Sequence, residues 1–351
     1  MEIFGELVDN HILVKKQKYS GKLFSRSNFG KIVNKNTIKL DLLEGVFLLG
    51  ENKIRIFKNK VEVDFQSLVG LATKEISEFE IKYLIYKDLR NRGLFVRLCD
   101  DKEKTTFYLT KIFEDKSEQQ YFVLAFSERD ILDLQITSGL IEHISKKNAE
   151  LWFAIVDEEG DITYYSVSFL DMKGFISERK HPVGRGILLK NRIILFDRRL
   201  AKSLFEKEFY GKFFGSGLQL SLVEGLYLLD KNIISISLKK DKVLDKKECK
   251  KIILKLQPDI KSRLIVFSDL KKRGLIVKTG FKFGVHFRAY TRQPDETHAE
   301  YLVHVVDWDF CSIWAELSRA VRLAHSVNKE IVFACVDGKN IKYIKFGRLR
   351  P

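Results

Sequence analysis

The chain has 351 residues, of which 45% are apolar and 31% charged, with a formal net charge of +15. That is the composition of a soluble globular protein long enough for two or more cores. It excludes a helical membrane protein, because no stretch approaches the roughly 20 apolar residues that a span needs. Met1-Glu2-Ile3-Phe4-Gly5-Glu6 lacks the basic start and apolar core of a signal peptide. Cys99, Cys249, Cys311 and Cys335 stand apart with no CxxC spacing, so they read as reduced packing residues rather than zinc ligands or disulfides. A cytoplasmic protein is expected.

Residues 1–80 mix short strands with helical segments, and Lys39 to Leu49 shows helix-like apolar spacing. A short helix then ends at Asp88-Leu89-Arg90-Asn91-Arg92-Gly93-Leu94, where Gly93 suits a C-cap, and a strand follows. Asp157-Glu158-Glu159-Gly160-Asp161 reads as an acidic turn between two strands. Asp171 to Gly186, with Pro182 and several glycines, reads as a linker.

After the linker the pattern starts again. Leu218 to Leu229 repeats the helical spacing of Lys39 to Leu49, with Val223-Glu224-Gly225 matching Leu43-Glu44-Gly45. Asp269-Leu270-Lys271-Lys272-Arg273-Gly274-Leu275 repeats the Asp88 segment 181 residues later. Phe333-Ala334-Cys335-Val336-Asp337 repeats Phe153-Ala154-Ile155-Val156-Asp157. Three anchors at nearly one offset indicate a tandem duplication. The second copy continues through a hairpin-like run, Phe281 to Tyr290, and a polar loop, Thr291 to Thr297. A strand from Tyr301 and a helix from about Phe310 to Asn328 come next. Two strands close the chain, Ile331 to Val336 and Ile341 to Phe346.

The expected fold is mixed α/β (α+β). Each repeat has an N-terminal mixed subdomain and a C-terminal α/β sandwich of nuclease type. The expected spans are 1–80 and 81–172 for the first repeat, and 177–260 and 261–351 for the second.

The charge separates the copies. Residues 1–175 carry 26 Lys and Arg against 28 Asp and Glu, whereas residues 176–351 carry 36 against 19. The whole basic excess lies in the second copy, as expected where a polyanion binds.

Metal-free RNA cleavage needs a base for the ribose 2′-OH, an acid for the leaving 5′-oxygen and a cation for the transition-state charge. Tyr290, His298 and Lys329, all at ends of expected elements, can fill these roles if the fold joins them. Aligned on the anchors, they fall opposite Leu109, Glu118 and Ala149, so the first copy keeps none of them. Arg322 precedes Lys329 by seven residues, two helical turns, which would put both on nearly one face; its first-copy counterpart is Glu142. Arg348 on the final strand is a second candidate RNA contact. The acidic turn, Asp157, Glu158, Glu159 and Asp161, suggests docking within or between chains.

The run Gly280-Phe281-Lys282-Phe283-Gly284, then Phe287-Arg288-Ala289-Tyr290, His298-Ala299-Glu300-Tyr301 and Arg319 through Arg322 to Lys329, resembles the catalytic half of archaeal tRNA-splicing endonucleases. The resemblance covers essentially the whole chain and is to the homodimeric, two-repeat form. It implies metal-independent cutting of precursor tRNA at bulge-helix-bulge motifs, leaving 2′,3′-cyclic phosphate and 5′-hydroxyl ends, with no cofactor. Tyr290 would be the general base, His298 the general acid and Lys329 the transition-state cation. Arg322 and Arg348 would hold a bulged base. The acidic turn would enter a basic pocket of a second chain, making a pseudo-tetramer of repeats.

Two other readings stand beside it. Pro294-Asp295 with Asp337-Gly338-Lys339 superficially fits a metal-dependent nuclease of PD-(D/E)xK type. A non-catalytic RNA-binding or assembly subunit would need none of these residues.

Overall fold

A computed structural model describes residues 3–15, 23, 27–34, 37–99, 105–112, 118–238, 242–294 and 297–351. The chain forms two compact units. One comprises Met1–Asp130, Glu142–Tyr165 and Leu349–Pro351; the other comprises Ile131–Ile141 and Ser166–Arg348.

The run Lys39 to Leu49, read above as helix throughout, splits at Asp41. Thr37–Asp41 is a strand and the helix is Leu42–Gly50. The Asp41 carboxylate accepts the Glu44 amide at 2.8 Å, and the Glu44 carboxylate accepts the Asp41 amide at 3.2 Å. This reciprocal cap satisfies two amides that a helix start leaves bare, and so fixes where the helix begins. In the second unit Ser221 and Glu224 make the same cap between strand Gly217–Leu220 and helix Leu222–Asp230. Each glutamate also accepts one distant amide at 2.8 Å, from Gly30 in one unit and Gly211 in the other. Periodicity cannot see this boundary, because apolar residues continue across it.

The duplication is explicit in the sheets. In the first unit six strands run in the order Lys31–Asn34, Thr37–Asp41, His11–Lys15, Phe4–Val8, Arg55–Lys58, Val61–Val63. In the second the order is Lys212–Phe214, Gly217–Leu220, Ile193–Leu195, Gly184–Leu188, Ile234–Leu238, Lys242–Leu244. Each has one parallel pair, Phe4–Val8 with Arg55–Lys58 and Gly184–Leu188 with Ile234–Leu238. The C-terminal halves match as well. Phe95–Leu98, Phe107–Ile112, Glu118–Ser127 and Glu150–Val156 pair in sequence, the last two parallel. Ile276–Thr279, Phe287–Tyr290, Tyr301–Asp307 and Glu330–Asp337 do the same, and Asn340–Leu349 extends that sheet. In each unit one continuous core joins the six-stranded part to one face of this second sheet.

The repeated Asp-Leu-x-x-Arg-Gly segment is structural. Asp88 accepts the Tyr164 hydroxyl at 2.7 Å and Arg92 Nε at 2.7 Å. Asp269 accepts the Tyr343 hydroxyl at 2.8 Å and Arg273 Nε at 2.6 Å. Helix Phe79–Asn91 is thus tied to the strand carrying Tyr164, and helix Ile260–Lys272 to the strand carrying Tyr343. Gly93 and Gly274 follow these helices at φ +84° and +77°, the left-handed bend expected of a C-cap glycine.

Three further expectations change. The helix expected from Phe310 to Asn328 is Trp314–Ser326, because Cys311–Ile313 is a strand paired with Ile131–Asp133. Such a partner lies far off in sequence and leaves no periodic trace. Strand Gly184–Leu188 takes the last residues of the expected linker. Cys249 and Cys335 are buried packing residues, whereas Cys311 is exposed. Among the described residues no helix is long and apolar enough to cross a membrane.

Candidate active site

Backbone register brings four chain positions into one row. Ala289 pairs with Tyr301, so Tyr290 stands level with Glu300. Tyr301 pairs in parallel with Glu330, so Glu300 stands level with Lys329. Ile331 pairs with Phe346, so two residues further Arg348 stands level with Lys329. Residues directly opposite across a sheet share a face and lie roughly 5 Å from their neighbours. Tyr290, Lys329 and Arg348 therefore occupy one end and one face of four adjacent strands. That face is the one covered by helix Trp314–Ser326, since Val303, Val332 and Ala334, of opposite parity, belong to the core on the other side.

Each candidate is held by its local structure. Tyr290 ends strand Phe287–Tyr290 and is 7% exposed, packed with Ile276 and Ala299. Ala299 is buried in that cluster, which fixes the chain on either side of it. His298, the preceding residue, is exposed. Glu300 braces the intervening loop: its two carboxylate oxygens accept the Thr291 amide at 3.0 Å and the Thr291 hydroxyl at 2.7 Å.

Lys329 follows a helix end of a defined kind. The Asn328 amide donates to His325 O at 3.1 Å and the Lys329 amide to Ala324 O at 2.9 Å. Asn328 has φ +52°. This is a Schellman motif, which turns the chain sharply out of the helix. Arg322 and Lys329 consequently do not share a helix face, as their spacing suggested; Arg322 is exposed on the helix and Lys329 begins the approach to strand Glu330–Asp337. The Lys329 Nζ donates to Val327 O at 3.3 Å and lies 5.9 Å from the centre of the Phe283 ring.

The first copy lacks the set, with one correction. Leu109 pairs with Tyr121 as Ala289 pairs with Tyr301, so the counterpart of Tyr290 is Thr110 rather than Leu109. Glu118 and Ala149 remain the counterparts of His298 and Lys329. Asp337, one carboxylate of the metal-nuclease reading, sits at the opposite end of its strand, seven residues from Glu330 and so about 23 Å away. Asp295, the other, lies outside the described residues.

A family model described as the tRNA intron endonuclease catalytic C-terminal domain matches residues 79–164 and again 260–343. The model of that family's N-terminal domain matches residues 3–69 and 184–250. The chain belongs to the tRNA intron endonuclease family. A tRNA-splicing endonuclease from Methanococcoides burtonii is 34% identical over 99% of both chains. One from Methanosarcina barkeri is 31% identical over 98% of this chain and 99% of its own. A third, from Methanococcus vannielii, is 38% identical but matches 93% of itself to 46% of this chain. A relative that spans a single repeat agrees with the duplication. The catalytic model matches both copies because it follows the shared scaffold.

Sequence reasoning missed three contributors. Glu300 lies inside the motif that carries the family resemblance, but its bond to Thr291 is visible only in the fold. Phe283 places a ring beneath Lys329. Arg288 puts its guanidinium carbon 5.7 Å from the centre of the Tyr290 ring.

The acidic turn is only partly free. The Asp157 carboxylate accepts the amides of Glu159 at 3.0 Å and Asp161 at 2.9 Å, which shapes the turn. Glu158 pairs with Arg129. Glu159 and Asp161 are the exposed carboxylates that remain.

Proposed function

We propose that this chain is a metal-independent tRNA-splicing endonuclease that cuts precursor tRNA at bulge-helix-bulge motifs and leaves 2′,3′-cyclic phosphate and 5′-hydroxyl ends. The observation that carries the reading is the row of Tyr290, Lys329 and Arg348 on one sheet end, with His298 two residues from that row, in the basic copy only. Tyr290 takes the proton of the 2′-OH, whose oxygen attacks the adjacent phosphorus. His298 gives a proton to the departing 5′-oxygen. Lys329 stabilises the added negative charge on the non-bridging oxygens. Arg322 and Arg348 hold an unpaired base by stacking and phosphate contact. The four subdomains fall at 1–80, 81–172, 177–260 and 261–351, with chemistry in the last.

The test is cleavage of a bulge-helix-bulge precursor in excess EDTA, with product ends identified. Cutting at both bulges with cyclic-phosphate ends is expected. Cutting that needs added Mg²⁺ and leaves 5′-phosphates would refute the metal-free chemistry.

The chain works as a homodimer, in which the acidic turn of one copy meets a basic pocket of the other. Glu159→Lys combined with Asp161→Lys reverses the free carboxylates and spares the two with internal partners. Light scattering should then report half the wild-type mass; an unchanged mass argues against this docking role.

A further inference from the structure

The turn between strands Ile276–Thr279 and Phe287–Tyr290 has features that the reaction described so far does not use. It is a single 3-10 turn, Phe281–Phe283, closed by the Phe283 amide on Gly280 O at 2.8 Å and the Gly284 amide on Phe281 O at 3.0 Å. Its frame is rigid. A Cβ at Gly280 would meet Val285 Cγ2 at 2.5 Å and the Phe287 backbone carbon at 2.9 Å, and Gly284 closes the turn at φ +69°. On this frame Phe281 is 88% exposed. Among the described residues it is the most exposed large apolar side chain.

The same turn faces the candidate site. Lys282 Nζ lies 5.0 Å from the centre of the Phe283 ring, and Lys329 Nζ lies 5.9 Å from that centre. One ring thus gathers two ammonium groups, one from the turn and one from the reaction site. From Gly274 to Pro294 the chain carries Lys278, Lys282, Arg288 and Arg292 and no carboxylate. Of these cations Lys282 and Arg292 are exposed, whereas Lys278 donates to the carbonyls of Phe209 and Gly211. An exposed ring next to an exposed lysine is complementary to an unpaired nucleotide, whose base offers a face for stacking and whose phosphate offers charge.

We propose that Phe281 is a stacking platform for an unpaired nucleotide of the RNA beside the scissile phosphate, with Lys282 pairing a neighbouring phosphate. This deepens the endonuclease reading and rests on it. The ring fixes which nucleotide sits next to Lys329, so the turn acts in substrate selection.

The test uses the full-length protein and a bulged precursor RNA with a 2′-deoxy residue at each cut site, so that binding is read without cleavage. Phe281→Ala and Phe281→Leu should each weaken binding about tenfold, the scale of one base stacked on an aromatic ring. Phe281→Tyr should stay within about twofold of wild type. Lys282→Ala should lower the slope of log binding constant against log salt by about one. A fully paired duplex should bind all variants alike.

Binding by Phe281→Ala equal to wild type overturns the proposal. Full binding by Phe281→Leu also does so, because it would show greasy packing and not stacking. A fall in mass of Phe281→Ala by light scattering overturns it by assigning the ring to a chain–chain contact. A wild-type protein that neither binds nor cuts the bulged precursor overturns both this proposal and the endonuclease reading, whereas a wild type that cuts with unaffected variants overturns this one alone.

Discussion

Lys329→Ala should lower the single-turnover cleavage rate by about 10²- to 10³-fold, the usual cost of removing one group aimed at transition-state charge. RNA affinity should change by only about twofold, since one phosphate contact among many contributes little to total binding. The expectation follows from how the lysine is held. Its backbone is fixed by the Schellman bonds of Asn328 and Lys329, and its ammonium sits between Val327 O and the Phe283 ring. The group is therefore in place before RNA arrives, and needs little reorganisation during reaction. Lys329→Arg should recover only a small part of the rate, because a planar fork cannot occupy the position of a compact ammonium. Thermal stability should be unchanged in both variants, as the side chain is only half-buried. Full activity in Lys329→Ala would remove Lys329 from the chemistry and with it the proposed set.

The architecture was more legible than the boundaries, and the reasons are local. The duplicated Asp-Leu-x-x-Arg-Gly segments stood out because each copy needs the same Asp–Tyr–Arg tie between helix and strand. The alignment of Tyr290 slipped by one residue for an equally concrete reason. Val96 and Val277 are 181 apart, but their strand partners, Leu109 and Ala289, are 180 apart. One residue is lost from the hairpin turn of the second copy, at the segment that carries Phe281 to Phe283. Anchors outside the turn cannot locate such a change. The seven-residue spacing of Arg322 and Lys329 misled because Asn328, an ordinary asparagine in sequence, adopts a left-handed conformation and ends the helix. The row of Tyr290, Lys329 and Arg348 arises from pairings across four strands, and no spacing along the chain expresses it.

The second large effect concerns stability. In the second unit Glu208 accepts the Arg179 amide at 2.9 Å, His181 Nε2 at 2.9 Å and Lys271 Nζ at 3.0 Å, and the Tyr210 hydroxyl bonds to it as well. The side chains of His181, Glu208 and Lys271 are 1%, 3% and 5% exposed. The cluster fastens the segment leading to strand Gly184–Leu188 onto helices Arg198–Glu208 and Ile260–Lys272. Burial alone would raise the Glu208 pKa, but the His181 hydrogen bond and the Lys271 charge outweigh it and hold the carboxyl at about 2. Burial pulls Lys271 below its ordinary range, and the Glu208 charge opposes that pull.

Glu208→Ala leaves Lys271 buried without its counter-charge and should cost about 3–5 kcal/mol, read as a lower urea midpoint. Adding Lys271→Met removes the stranded charge, so the double variant should be more stable than Glu208→Ala alone. The pH dependence has a fixed sign. A carboxyl whose pKa is lowered on folding stabilises the protein above its unfolded value and loses that contribution as pH falls. The wild type should therefore lose stability between about pH 4.5 and 2, and Glu208→Ala should flatten that part of the curve. A cost below about 1 kcal/mol for Glu208→Ala would mean that water reaches Lys271 and that the segment is held by its apolar contacts instead.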